Sequence, residues 1–263
     1  MARTAEPLLD RDPAGSRVLD AGRVIRLAVI FVLLWQLAVT AMQIPRFLLP
    51  GPLVVAQAMI DTRALLARAA LTTLAEVSAG FVVGAGLGIV LALAMGLLPP
   101  LGRALTPLMT FSQTVPIFAF APLLTLWLGY GIAPKIAIVA LMVFFPVASA
   151  FGDGLSRTPK VFRELADSMG ATPLEAMRVV RIPAALPGLA SGLRIAAVYA
   201  PAAAIVGEWV GGSRGLGALM IQSSGRMKID QMFAALTVTI LIAIAFKAVV
   251  SRLALRLDRF AAG

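Results

Sequence analysis

Six long apolar runs, at about residues 24–43, 77–98, 104–129, 133–151, 189–211 and 231–250, leave this chain little choice of solvent. A helix needs about 20 apolar residues to cross the hydrocarbon core of a bilayer, and each run is close to that length. Lipid offers no hydrogen-bond partners, so every backbone N–H and C=O in such a run must be satisfied within the protein, as in a helix. Composition agrees: 60% of residues are hydrophobic and only 14% are charged, against about a quarter in a soluble domain. The expected product is an all-α integral membrane protein with six transmembrane helices.

The residues between the runs set the organisation. Residues 1–23 read as a mobile, mixed-charge tail, 24–251 as the membrane domain and 252–263 as a second short tail. Val39-Thr40-Ala41 resembles a signal cleavage site. The polar lead before it is long for a signal peptide, so a retained first span is expected. Six spans place both termini on one side, together with the long loop 152–188. That side carries 16 of the 23 basic residues, which predicts cytoplasmic termini and a cytoplasmic loop. The net charge of +10 follows from this asymmetry and from attraction to anionic membrane lipid. Basic residues flank spans rather than covering one face, so no nucleic-acid partner is expected. With no Cys and no His, disulfides, thiol nucleophiles, zinc fingers and histidine catalysis are excluded.

Two segments carry candidate pathway residues. The third run contains Pro107, Pro116 and Pro122, with Ser112-Gln113-Thr114 just before Pro116. Proline removes a backbone donor and kinks a helix, and the freed carbonyl must be met by protein or by water in a cavity. A kinked, polar-lined segment at mid-depth suits a pathway wall. In the fifth run, Glu208 is read as the one acidic residue well inside a span, beside Trp209. It is expected either to pair with Arg214 or to meet substrate. The pathway candidates are therefore Ser112, Gln113, Thr114, Pro116, Tyr199, Glu208 and Trp209. Elsewhere, Gly84 and Gly88 are spaced for close helix packing, and 53–74 reads as a helix lying along the membrane interface.

The loop 152–188 predicts a built structure. Thr158-Pro159 reads as a cap and first turn, and Gly170 as the stop of that helix. Thr172-Pro173-Leu174-Glu175 reads as a capping box opening a second short helix that ends before Pro183.

Glu164-Leu165-Ala166-Asp167-Ser168-Met169-Gly170, followed by Val180-Arg181-Ile182-Pro183, resembles the loop signature of binding-protein-dependent ABC importer permeases. Glu164, Ala166, Gly170 and Pro183 match it, while Leu165, Val180 and Ile182 are apolar replacements. Leu49-Pro50-Gly51-Pro52 and Gly215-Leu216-Gly217 extend the likeness toward the permeases of nitrate, sulfonate, taurine and thiamine-precursor importers. Gln113–Ala119 (113–119), Phe144-Phe145-Pro146 and 206–211 are most similar to permeases for the hydroxymethylpyrimidine precursor of thiamine. The resemblance implies a type I importer permease fold with a cytoplasmic coupling helix between the fourth and fifth spans. It implies two ATPase subunits, a second permease copy and a periplasmic or lipid-anchored binding protein, in a bacterial inner membrane. Coupling would fall on Glu164, Ala166, Gly170, Ala171, Thr172, Pro173, Glu175, Ile182 and Pro183. No G-x-x-x-x-G-K-[ST] loop is present, so no cofactor is expected in this chain. ATP and Mg would be bound by the partner ATPase. An ion-gradient transporter would show several intramembrane charges and an internal repeat, and an intramembrane hydrolase would need paired catalytic groups.

Overall fold

The computed structural model describes residues 13–112 and 116–261. Its elements are α1 Pro13–Ala41, α2 Pro52–Asp61, α3 Arg63–Leu97, α4 Pro99–Ser112, α5 Ile117–Leu128, α6 Ala133–Ser156, α7 Lys160–Ser168, α8 Pro173–Ala176, a π turn Met177–Arg181, α9 Ile182–Gly211, α10 Leu216–Gly225 and α11 Ile229–Ala261. Among the described residues, four helical runs are long and apolar enough to span a bilayer: α3, α6, Pro173–Gly211 and α11. The first expected span is the apolar part of α1, and the third is divided between α4 and α5 at Pro116.

Three helices make the core, with α6 held between α3 and α9. A row of glycines on α3 lets its backbone close on α6. A Cβ at Gly80 would lie 2.4 Å from Val139 Cβ, one at Gly84 2.5 Å from the Ala140 carbonyl, and one at Gly88 2.8 Å from the Phe144 carbonyl. Gly188 and Gly192 do the same for α9, with a Cβ at Gly188 reaching 2.6 Å from the Ala150 carbonyl. Lipid tails are as apolar as leucine, so helices here gain by intimate packing rather than by escaping water. Val77, Val143, Val147, Phe151, Ala196, Ala200, Ala203 and Ala204 fill the seam. A second cluster joins α2, the start of α3, α10 and α11 through Val55, Leu66, Leu216 and Ala234. Helix α1 rests on it by Trp35, whose ring is 6.0 Å from that of Phe233.

Three local expectations change. The segment 53–74 is not one interfacial helix: α2 ends at Asp61, and α3 runs from Arg63 into the second span. Leu66, Ala69, Thr73 and Val77 continue one buried stripe, while Arg63 and Arg68 stay exposed on the other side. Thr158 does not cap α7. It is buried and donates to the Leu155 carbonyl at 3.1 Å, closing α6 instead. Nor does a helix end before Pro183. The chain stays helical from Pro173 to Gly211, because the π turn absorbs the proline: the Ile182 N–H reaches back five residues to the Met177 carbonyl.

Candidate functional site

The loop between α6 and α9 is rigidly built. Helix α7 ends in a Schellman turn: Gly170 sits at φ +76°, its N–H donates to Asp167 O, and the Ala171 N–H donates to Ala166 O, both at 3.0 Å. One residue on, the capping box closes. The Thr172 N–H donates to Glu175 Oε2 at 2.7 Å, and the Glu175 N–H donates to Thr172 Oγ1 at 3.3 Å. The helical run that starts at Pro173 is 39 residues long, roughly 58 Å at 1.5 Å per residue. The hydrocarbon core is only about 30 Å thick, so its first turns stand outside the membrane. There the Thr172 hydroxyl, then the Thr172 backbone N–H, hold the Glu175 carboxyl below its ordinary pKa.

This element is anchored from below and open above. Arg181 Nη1 donates to the Gly96 carbonyl at 2.8 Å, at the end of α3, and Nη2 to the Leu155 carbonyl at 3.4 Å, at the end of α6. Met177 is buried, with its methyl 3.0 Å from a Cβ placed on Gly96. Ala166 is the buried residue of α7, and Ile182 and Pro183 are half-buried at the junction. Glu164, Thr172, Pro173 and Glu175 are exposed, among exposed Val161, Phe162, Leu165, Met169, Leu174 and Val179. They leave a patch of uncovered apolar side chains on a capped, anchored element. Arg181 and Met177 were not singled out from sequence, although an arginine at the seam of a helical stripe is a readable signal.

Glu208 lies in a buried polar knot at the other end of α9. Thr73 Oγ1 donates to Glu208 Oε1 at 2.6 Å, and the Gly217 N–H donates to Glu208 Oε2. The Leu216 N–H donates to Thr73 Oγ1 at 2.9 Å. The carboxylate therefore caps the N-terminus of α10, where free N–H groups and the helix dipole favour an anion. Among the described residues no ion pair joins Glu208 to Arg214, contrary to one expectation; the Arg214 carbonyl accepts from Lys135 Nζ at 3.1 Å. Lys135 Nζ also donates to Glu76 Oε1 at 2.7 Å. Glu76 and Lys135 were missed. Glu76 is 1% exposed, so Glu208 is not alone as a carboxylate buried within the protein. The signal was there: Thr73 and Glu76 continue the stripe of Leu66 and Ala69. The knot pins the 212–217 turn to α3 and α6. Trp209, the residue after Glu208, is half-exposed.

Among the described residues α6 lines several cavities, two of which concern the pathway. The larger, about 680 Å³, is lined by Phe111, Pro116, Ile117, Phe120, Leu141, Met142, Phe144, Phe145, Pro146 and Tyr199. It brings together Pro116 and Tyr199 from the pathway candidates. Gln113, Thr114 and the side chain of Ser112 lie outside the described residues. The smaller cavity, about 280 Å³, includes Thr106, Ser149, Asp153 and Arg181 in its lining. Phe145 is common to both, so one wall separates an aromatic chamber from a polar one that reaches the coupling element.

The described residues thus form an all-helical membrane protein in which a capped external helix is continuous with a core span. Residues 84–262 match the family described as binding-protein-dependent transport system inner membrane component, and the chain belongs to that family. It is 42% identical over 215 residues to a probable ABC transporter permease protein of Haemophilus influenzae, covering 82% of this chain and 88% of that one. It is 37% identical over 190 residues to the formylaminopyrimidine transport permease ThiX of Halalkalibacterium halodurans, covering 72% and 76%. It is 34% identical over 157 residues to the taurine transport permease TauC of Escherichia coli, covering 59% and 57%. The fold is similar to that of a chain in a solved structure of inward-facing conformations of the MetNI methionine ABC transporter, at TM-score 0.65 and 21% identity, covering 75% of this chain and 98% of that one.

Proposed function

We propose that this chain is the membrane subunit of an importer of a thiamine pyrimidine precursor such as hydroxymethylpyrimidine. Two ATPase subunits, which bind ATP and Mg, dock on the face around Glu164 and Val179 of two permease copies. A binding protein delivers the solute from the opposite side. Termini and coupling loop are cytoplasmic, in a bacterial inner membrane. The observation that carries the mechanism is the unbroken helical run Pro173–Gly211. A push on Thr172–Arg181 (172–181) is passed along this helical run, through the π turn and past Pro187, to Tyr199 at the cavity wall. Arg181 ties the same push to the inner ends of α3 and α6. Packed helices respond to such displacement by shifting between discrete arrangements, which is what alternating access requires. The similarity to ThiX supports the pyrimidine, and that to TauC keeps a sulfonate as the competitor.

The test is reconstitution in liposomes with the cognate ATPase and binding protein. Hydroxymethylpyrimidine is expected to stimulate ATP hydrolysis and uptake, with taurine and nitrate inactive. Stimulation by taurine or nitrate instead would overturn the substrate. Failure of any ATPase to co-purify would overturn the mechanism.

A further inference from the structure

We infer that the 680 Å³ cavity is a transient binding site within the permease for an uncharged, planar heteroaromatic ring, held by stacking and by one backbone acceptor. The inference rests on the importer reading above and deepens it. Phe111, Phe120, Phe144, Phe145 and Tyr199 supply flat faces around one chamber. Its volume falls within the usual range of small-molecule sites, about 300–1,000 Å³. Ring stacking on aromatic side chains needs no particular substituent pattern, so it suits a site that must bind and release.

Charge argues for the same ligand class. No charged side chain is among the described residues lining the chamber. A sulfonate or nitrate passing through would call for guanidinium or ammonium donors. The cations nearest in role are committed elsewhere: Lys135 to Glu76 and the Arg214 carbonyl, and Arg181 to the carbonyls of Gly96 and Leu155.

One polar feature faces a ring with an amino substituent. Pro146 lies inside α6 and has no N–H to give the Met142 carbonyl one turn earlier. Both residues line the chamber. Without that usual helical donor, the Met142 carbonyl is the acceptor this proposal assigns to an exocyclic N–H of the ring. The Tyr199 hydroxyl adds a second hydrogen-bonding group on the facing helix. Tyr199 and Leu141 are half-exposed on the open side of the chamber.

The experiment is saturation binding of labelled hydroxymethylpyrimidine to the purified permease–ATPase complex without the binding protein, with taurine and nitrate as competitors. Phe120→Leu and Phe144→Leu keep apolar bulk and remove a flat ring; Phe120→Tyr and Phe144→Tyr keep the ring. The Leu variants should bind roughly 5- to 100-fold more weakly, and the Tyr variants within about 3-fold of the unaltered complex. Neither anion should compete. Absence of binding to the unaltered complex, equal affinity of Leu and Tyr variants, or displacement by taurine at similar concentration would each overturn the inference. Transport of a sulfonate alongside intact ring binding would sink the substrate in the preceding section and leave this site standing.

Discussion

Removing Lys135 should damage the protein more than removing its partner as well. Lys135 Nζ sits 2.7 Å from Glu76 Oε1, and the two side chains are 6% and 1% exposed. At that distance and an effective dielectric near 20, the attraction is roughly 6 kcal/mol before desolvation. Lys135→Met leaves Glu76 buried beside Glu208 with no cation, which should cost about 3–5 kcal/mol. Glu76→Gln on that background removes the stranded charge, and the double variant should recover most of the loss. The assay is a double-mutant cycle on denaturant unfolding in micelles, followed by tryptophan fluorescence, with Trp209 adjacent to Glu208 as reporter. A coupling energy near 3 kcal/mol is expected. Losses that simply add, with coupling below about 0.5 kcal/mol, would show that the pair does not hold the knot together.

Other expectations concern packing and the coupling element. Gly84→Ala places a Cβ 2.5 Å from the Ala140 carbonyl, so overpacking should cost about 1–3 kcal/mol. Gly86→Ala, which meets nothing within 4 Å, should be neutral or stabilising by up to about 1 kcal/mol; the same unfolding assay checks both, and equal effects would refute the packing account. At Gly170 a Cβ also meets nothing, but φ is +76°, so Gly170→Val should lose about 1–2 kcal/mol of turn stability and retain less ATPase on co-purification, with membrane insertion intact. Gly170→Asn should retain more, and full retention by the valine variant would count against the coupling role. The Thr172 bonds lower the folded-state pKa of Glu175, so their contribution is present above the ordinary glutamate range and lost as pH falls through the lowered folded value. Hydrogen exchange of 172–181, corrected for intrinsic rates, should show this loss below pH 4.5, and Thr172→Ala, which removes the hydroxyl but keeps the backbone N–H, should weaken the pH dependence without abolishing it.

The sequence by itself determined the features that depend on neighbours within a turn or two. Apolar run length set the membrane class. The Gly170 stop and the Thr172–Glu175 box were legible because each is closed by residues three to five positions apart. The four-residue glycine spacing announced the α3 seam without naming α6 as its partner. Pro183 misled because a proline reads as a helix end, whereas the π turn before it let the rod continue.

Tertiary structure decided everything that joins distant parts of the chain. Lys135 meets Glu76 across 59 residues, and Glu208 meets Thr73 across 135. From sequence, Glu208 had a plausible partner six residues away in Arg214. Burial chose otherwise, because a carboxylate out of water takes the donors that packing brings to it, here Thr73 and the start of α10. The aromatic chamber has the same origin. Phe111, Phe120, Phe144 and Tyr199 lie on four helices, and no local pattern places them around one space. Periodicity is a property of a single helix; a cavity or a buried charge pair is a property of how helices meet.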